Sequence, residues 1–429
     1  MTDVDSERPP LFRPPELRTG ETRAASRLEL FFDLAYVLCV GELAASLLSD
    51  LDVDGTLEFL GLFALIWLSW VQFTLHNNRF DTDDLILRFA KLAAMLAVLG
   101  AAASISDATG SKVVPFTICY ALGRLIIAGL YYRAWRHVDD ARGTTGVYLV
   151  AMTTVAALWV VSLVIPSPAR FVVWGVAALV DVAAPIVAGR RRGRAPLHLE
   201  HLPDRFGLLV ILVLGEVIAG IVTGVHEVKW SGLSVAIGAM GFVVAAALWW
   251  AYFDVGGTVS AHGIQRADDE KSGRRTPLDT DDGADAVEAN ADDAEEPVDE
   301  RHDLFVYGHL PLTAGILSVA VGVEELVLHP DRSLPSSAGL LVTAGIIAFL
   351  LGAAMLLRGG EQRSRLSLAW PLGAAVAVLL WGLVGPRNPL AFTIGAAVLA
   401  VAAAASGALI SRRTPGKAHR PTSADRRGD

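Results

Sequence analysis

Three carboxylates lie inside one apolar stretch of this chain. The stretch is RLELFFDLAYVLCVGELAASLL, residues 27–48, and it holds Glu29, Asp33 and Glu42. About 20 apolar residues are enough for a helix to cross a bilayer. An ionised carboxylate at the bilayer centre costs about 3 kcal/mol even on a permissive scale, so it normally faces a bundle interior or an aqueous cavity. The pattern therefore predicts a site that binds ions or exchanges protons.

The spacing of these acids predicts where their helix lies. Asp33 and Glu42 are nine residues apart, which places them about half a turn around the helix and about 13 Å apart along it. Acids on two opposite faces indicate that protein or water surrounds the helix, so we expect it to be central. Two later apolar stretches contribute Glu216 and Glu324 at or beyond their midpoints. We expect these acids to lie toward the same side of the membrane as Glu42.

Ionisable residues in other apolar stretches are candidate partners for these acids. They could be structural, with an acid on one helix fixing a base on another. A functional role is favoured by the equivalent steps Gly41-Glu42 and Gly215-Glu216, because a glycine leaves room for a ligand or a neighbouring helix. Ion or substrate binding is assigned to Asp33, Glu42, Glu216, Glu324, Arg124 and Asp181. Gating or structural roles are assigned to Arg27, Glu29, Arg88, Lys91 and His309.

The apolar stretches together predict an all-α polytopic membrane protein. The chain has 429 residues, 53% of them hydrophobic, and a mean hydropathy of +0.47. Its apolar runs have the length of membrane-spanning helices. We predict about twelve transmembrane helices, at 28–48, 57–76, 85–105, 113–132, 146–165, 171–189, 205–225, 232–254, 304–327, 337–357, 366–384 and 390–410.

The basic residues predict the orientation of these helices. Short cytoplasmic loops of membrane proteins are enriched in Lys and Arg. With a cytoplasmic N-terminus, the predicted cytoplasmic segments hold 28 of the 36 basic residues, the outer loops hold 5, and the spans hold 3. The alternation continues along the whole chain. We therefore expect a multi-pass protein of the cell membrane with both termini in the cytoplasm.

Three segments outside the spans have distinct compositions. Residues 1–27 form a Pro- and Arg-rich cytoplasmic tail without an apolar core, so no cleavable signal peptide is predicted. Residues 256–303 form an acidic linker: within 266–303, 15 Asp or Glu accompany 5 Lys or Arg. Such a segment cannot bury enough surface to offset its ordering entropy, so we predict that it is disordered. Residues 411–429 form a basic tail.

The two halves of the chain share motifs in the same order. FDLAYVLCVGELA, from Phe32, aligns with FGLLVILVLGEVI, from Phe206. WVQF and WAYF then end the following span in each half, and Asp-Leu opens the next one. We predict two parallel six-helix repeats, 28–200 and 201–429, because repeats with an even number of spans insert in the same direction.

Signatures of common enzyme classes are missing from the sequence. It has no Gly-x-Ser-x-Gly, no His-Glu-x-x-His and no phosphate-binding loop ending in Lys-Ser or Lys-Thr. Cys39 and Cys119 fall within spans and suit small packing positions, and His76, His201 and His309 lack metal-ligand spacing. We expect no enzyme activity, cofactor, metal or nucleic-acid partner. The expected partners are the lipid bilayer and a small solute or ion, and a homo-oligomer is left open.

Five motifs resemble those of the bacterial low temperature requirement protein A family. They are RLELFFDLAYVLCVGELA, NRFDTDD, HLPDRFGLLVILVLGEVI, WWAYFD and YGHLPLTAGI. The resemblance runs from about Arg27 to Glu325 around the acidic linker, and more loosely to the C-terminus. It implies a multi-pass inner-membrane protein linked to growth in the cold, and it implies no particular substrate or reaction.

A second resemblance concerns the segment RLELFFD, residues 27–33. It is similar to the Arg-x-x-x-Phe-Ser-Asp motif of the endolysosomal potassium channel family, with Phe32 at the Ser position. That family has six spans, or twelve as two repeats. The corresponding segment of the second half, HLPDRFG, departs from the motif at both charged positions.

Three functions are therefore consistent with the sequence. The first is a transporter or ion-coupled permease that uses the intramembrane carboxylates. The second is a cation channel, for potassium or protons, of the kind that the second resemblance suggests. The third is a non-transporting membrane scaffold or lipid-related protein in cold adaptation.

Overall fold

Twelve α-helices make up most of the described structure. The computed structural model describes residues 12–18, 26–189, 195, 197, 202–257, 297–334, 337–359 and 365–413. The helices are α1 (Arg27–Ser49), α2 (Val53–Arg79), α3 (Leu85–Ala102), α4 (Val113–His137), α5 (Arg142–Ser162), α6 (Ala169–Gly189), α7 (Leu202–Glu227), α8 (Gly232–Trp250), α9 (Pro297–Leu328), α10 (Ser337–Gly359), α11 (Arg365–Val384) and α12 (Pro389–Arg413). A π-helical segment, Ala251–Gly257, follows α8, and the two-residue strands β1 (Glu16–Leu17) and β2 (Phe80–Asp81) pair antiparallel.

These helices confirm the predicted fold class. Within the described residues, 11 helices are long and apolar enough to cross a membrane. The remaining helix, α11, has a shorter apolar part, Leu368–Val384. Each predicted span corresponds to one helix, so the chain is an all-α protein with many membrane-spanning helices. The arrangement as two repeats stays a prediction.

Polar residues explain why the first three helices begin where they do. Ser26 accepts a hydrogen bond from the backbone amide of Glu29, whose carboxylate accepts one from the amide of Ser26. This reciprocal capping satisfies two amides that the first helical turn leaves unpaired. Asp52 and Asp84 cap α2 and α3 through backbone amides three residues further on. Glu29 therefore stabilises the start of α1.

Several helices extend beyond the predicted spans. Arg79 and Arg133, which the sequence assigns to loops, lie inside α2 and α4, and Arg205, the first residue of a predicted span, lies in the first turn of α7. The helix α7 begins before Pro203, and α9 begins at Pro297. Proline is favourable in a first helical turn because its missing N–H has no helical partner there. At the two ends of the predicted acidic linker, residues 256–257 and 297–303 belong to helical segments, while 258–296 lies outside the described residues and its disorder stays a prediction.

The chain divides into two compact units, and each is described separately. Unit 1 comprises residues 1–216 and unit 2 comprises residues 217–429, so the division falls inside α7. In unit 1, 83% of an 18-residue apolar stretch of α2 is buried, whereas 50% of the corresponding stretch of α1 is buried. In unit 1, α2 is therefore more enclosed than α1, and a central place for α1 in the whole bundle stays a prediction.

In unit 2, α9 and α10 pack through small residues that repeat every seven positions. This glycine seam comprises Gly308, Gly315 and Gly322 of α9 and Ala338, Gly345 and Gly352 of α10. A Cβ at Gly345 would lie 2.6 Å from the carbonyl oxygen of Gly315, and one at Gly352 would lie 2.6 Å from that of Gly308. The two backbones are thus in direct contact, as is common between membrane helices.

Candidate ion site in the first unit

Asp33 lies at a meeting point of three helices. Its side chain is 2% exposed, and its Oδ1 accepts hydrogen bonds from Trp70 Nε1 and Arg205 Nη2, both at 2.9 Å. Phe206 packs edge-on against Trp70, with ring centroids 5.1 Å apart. One carboxylate of α1 is therefore fixed by α2 and by the first turns of α7.

Two polar atoms of this arrangement have no hydrogen-bond partner among the described residues. They are Oδ2 of Asp33 and Nη1 of Arg205, and both are buried. Buried polar atoms in proteins are nearly always hydrogen-bonded, so each exception needs an explanation. One acceptor and one donor of this ion pair therefore lack hydrogen-bond partners. Such atoms are suited to binding a proton, a water molecule or a small ion.

A second acid–base pair lies on the same face of α1. Glu29 precedes Asp33 by one helical turn, so their side chains are neighbours. Lys91 of α3 is 2% exposed, and its Nζ lies 3.6 Å from Oε1 of Glu29, beyond ordinary hydrogen-bond distance. We name Glu29, Asp33, Lys91 and Arg205 the charged cluster. It contains two acids and two bases, and it lies at the end of unit 1 where α1, α3 and α7 begin.

Arg124 and Asp181 form a separate ion pair between α4 and α6. Their side chains are each 1% exposed, and Arg124 Nη2 lies 2.7 Å from Asp181 Oδ2. Arg124 also donates to the hydroxyl of Tyr120, which donates to the backbone oxygen of Leu65 at 3.0 Å. This pair joins α4, α6 and α2, and the assignment of both residues to ion or substrate binding stays a prediction.

The acids of the two Gly-Glu steps lie in different environments. Glu42 is exposed on α1, and Glu216 is half-buried. A Cβ at Gly41 would lie 3.6 Å from Oε1 of Glu216, so the carboxylate of α7 lies beside the backbone of α1. In unit 2, Glu324 lies in the same way beside Gly220, where a Cβ would be 2.8 Å from its Oε2. In both places, a carboxylate from another helix occupies the space beside a glycine.

The remaining predicted residues lie apart from the charged cluster or in the other unit. Arg27 is exposed, and Arg88 is exposed and paired with Asp83 at 2.9 Å. In unit 2, His309 is fully buried, with Nε2 2.9 Å from the hydroxyl of Tyr252 and Nδ1 2.7 Å from the carbonyl oxygen one turn earlier. Because a carbonyl only accepts, Nδ1 carries a proton, while either Nε2 or the Tyr252 hydroxyl can be the donor in the second hydrogen bond.

No metal site is formed by the residues that the structure describes. Nowhere among them do three His, Cys, Asp or Glu side chains come together in a way that could hold a metal ion. His201, one of the three histidines considered above, lies outside the described residues.

The sequence patterns did not single out basic residues that the structure places in buried or half-buried positions. Arg79 is 5% exposed, donates to Tyr148 and to the backbone oxygen of residue 195, and lies over the Tyr148 ring at 4.8 Å. Arg133 forms an ion pair with Asp84 at 2.6 Å and donates to the backbone oxygen of Arg13. A basic residue that directly follows or precedes an apolar stretch was the available signal, because long side chains at helix ends can fold back into the bundle.

Asp84 lies outside the membrane-spanning segments and has a perturbed acidity. Burial raises the pKa of Asp84, but hydrogen bonds from Arg133 and from the amides of Leu87 and Arg13 act in the opposite direction. The net result is a pKa below the ordinary value of 3.8. The carboxylate is therefore ionised at neutral pH and ties the start of α3 to α4.

The chain is similar to a known protein family and to an uncharacterized bacterial protein. A family model described as bacterial low temperature requirement A protein (LtrA) matches residues 24–276 and 281–406. An uncharacterized protein of Rhizobium meliloti (strain 1021) is 28% identical over 346 residues, which cover 78% of this chain and 77% of the relative. No solved structure matches the chain.

Proposed function

We propose that the chain, which belongs to the bacterial low temperature requirement A protein (LtrA) family, moves protons or small cations across the membrane. Its many apolar helices and its family make it a multi-pass membrane protein. The charged cluster of unit 1 is the proposed ion site. A role in growth in the cold is likewise a proposal, and it rests on the family alone.

The observation that carries this proposal is the incompletely bonded pair of Asp33 and Arg205. Ionisable residues inside a membrane bundle are costly, and they commonly mark ion pathways and proton relays. Oδ2 of Asp33 is available to a proton, while its Oδ1 stays bonded to Trp70 and Arg205. Protonation of Asp33 would leave Arg205 without its counter-charge. Proton binding would thereby weaken the contact between α1 and the start of α7, which couples ion binding to helix packing.

A non-transporting membrane scaffold is the second candidate. The observation in its favour is the Arg124–Asp181 pair, which is buried on both sides and further bonded through Tyr120. Such a pair shows that this bundle uses intramembrane charges to join helices. If the charged cluster has the same role, no ion flux is required.

Flux measurements on the purified protein distinguish these functions. The full chain is reconstituted in lipid vesicles that contain pH- and potassium-sensitive dyes, with empty vesicles as the control. We expect proton flux when a pH gradient is imposed. Potassium flux that is independent of protons would identify a channel instead. No flux of either ion under any gradient would contradict the proposal and favour the scaffold.

We further propose that both termini and the acidic linker lie in the cytoplasm. The support is the distribution of basic residues, with 28 in the predicted cytoplasmic segments and 5 in the outer loops. In a variant without Cys39 and Cys119, single cysteines replace Thr280 or Ser333. A membrane-impermeant thiol reagent added to intact cells should label Ser333→Cys and leave Thr280→Cys unlabelled. The opposite labelling would contradict this orientation.

A further inference from the structure

A groove of about 590 Å³ lies in unit 1 between the first halves of α2 and α6. Most of its wall is apolar and is formed by Leu57, Leu62, Leu65, Phe171, Trp174 and Ala178. Two carboxylic acids, Asp54 and Glu58, also line it. The groove has no role in the proposed ion site, and neither acid belongs to the charged cluster.

The acids and the apolar wall occupy different levels of the groove. Asp54, Glu58 and Leu65 recur at helical spacing, so they share one face of α2. Asp54 lies in the first turn of α2, and Leu65 follows eleven residues later. At 1.5 Å per residue, this face extends roughly 16 Å from the first carboxylate into the apolar part. The groove therefore has an acidic end and an apolar length.

Two glycines keep the groove open. A Cβ added at Gly61 of α2 or at Gly175 of α6 would meet nothing within 4 Å. Both glycines line the groove. Larger side chains at these two positions would enter the groove itself, so the width of the groove depends on the two glycines.

The residues that line the groove carry negative charge, and none of them is basic. Asp54 is exposed, and Glu58 is half-buried with its Oε1 accepting a hydrogen bond from the Thr109 hydroxyl at 2.9 Å. The basic residues nearest to the lining along the chain are Lys112, which precedes α4, and Arg170, in the first turn of α6. Each donates to oxygens of the segment before its helix, and neither lines the groove.

From this geometry we propose that the groove binds an amphiphilic cation, with an ammonium head group at Asp54 and Glu58 and an alkyl chain along the apolar wall. Transfer of an alkyl chain from lipid to the groove gains little hydrophobic free energy, because lipid tails are equally apolar. Selectivity must therefore come from the head group. Two carboxylates at the border of a low-dielectric region favour a cationic head over neutral or anionic heads.

Photo-crosslinking of the full chain tests this proposal directly. The purified protein, in micelles of a neutral detergent, is exposed to dodecyltrimethylammonium that carries a diazirine in its chain. A maltoside probe with the same chain is the neutral comparison. We expect the cationic probe to label peptides from 53–65 and 171–178 about fivefold more than the neutral probe. Unlabelled dodecyltrimethylammonium should suppress this labelling.

Variants separate the contribution of charge from that of shape. Asp54→Asn combined with Glu58→Gln should lower the cationic labelling about fivefold, to the level of the neutral probe. Gly175→Leu should reduce labelling by both probes, and it remains informative if the double variant does not fold. Glu227→Gln, which changes an exposed acid of α7, should leave labelling unchanged. Equal labelling by the two probes, or unchanged labelling in both groove variants, would overturn the proposal.

Discussion

The two units hold their helices together in different ways. Unit 1 joins helices through buried or nearly buried ion pairs, namely Asp33–Arg205, Arg124–Asp181 and Asp84–Arg133. Unit 2 joins α9 to α10 through the glycine seam, where the backbones touch. Because close packing of small residues can hold membrane helices without any charge, the charges of unit 1 are not a general requirement of this bundle. Their presence calls for a specific role, either in specifying the fold or in binding ions.

The largest expected effect concerns the Arg124–Asp181 pair of unit 1. Arg124→Met leaves Asp181 buried without its counter-charge, which should cost about 4 kcal/mol of stability. Arg124→Met combined with Asp181→Leu should recover most of this loss, because no isolated charge remains. Thermal unfolding in detergent measures both variants. A double variant as unstable as the single one would show that the pair does more than join helices.

In unit 2, the corresponding substitution disturbs the contact between helices by its size and not by its charge. Gly345→Leu would place a side chain where α9 and α10 touch, and we expect a loss of about 3 kcal/mol. The matched control is Gly373→Leu in α11, because a Cβ at Gly373 meets nothing within 4 Å. The yield of monodisperse protein and its thermal unfolding serve as readouts. Equal stability of the two variants would contradict the role of the glycine seam.

A smaller and pH-dependent effect is expected at Asp84. Its pKa is lowered in the folded protein, so its contribution to stability is present above the ordinary value of 3.8 and is lost as the pH falls through the lower folded value. Asp84→Asn should therefore lower stability by about 1 kcal/mol at pH 7 and have a smaller effect near pH 3. Unfolding midpoints at the two pH values measure this difference.

The exposed pair of Asp83 and Arg88 provides the control for that prediction. Asp83→Asn should change stability little at either pH, because exposed ion pairs contribute only about 0–1 kcal/mol. A stability difference for Asp84→Asn that persists unchanged at pH 3 would show that its ionised form is not responsible.

Hydropathy was sufficient to predict the helices but not their burial. Each apolar run became a helix, since the backbone in a bilayer must satisfy its own hydrogen bonds. The enclosure of α2 has a signal in the sequence: Ser69, Gln72, His76 and Asn77 interrupt its apolar residues, and all four are buried. Polar residues spread over a span indicate that protein surrounds it, whereas the acids of α1 are compatible with one buried and one exposed face.

The partners within the site could not be predicted from the sequence. Arg205 is the first residue of the predicted span 205–225 and was counted with the preceding cytoplasmic segment, yet α7 begins before it, at Leu202. The two Gly-Glu steps also show that a shared motif does not determine its surroundings, since Glu42 is exposed and Glu216 is half-buried. Which base meets which acid depends on how the helices pack, and the spacing of residues along one helix does not report this.

Proton flux through vesicles containing Asp33→Asn tests most directly whether the charged cluster is an ion site. Asparagine keeps the size of the side chain and an oxygen for Trp70, but it leaves Arg205 without its counter-charge, so thermal unfolding of the variant is measured alongside its flux. We predict that its flux falls at least about tenfold below wild type, while the control Asp83→Asn retains wild-type flux. Wild-type flux in a folded Asp33→Asn variant would contradict the assignment. If Glu216→Gln then abolished the flux, the ion site would lie at Glu216 beside Gly41 instead.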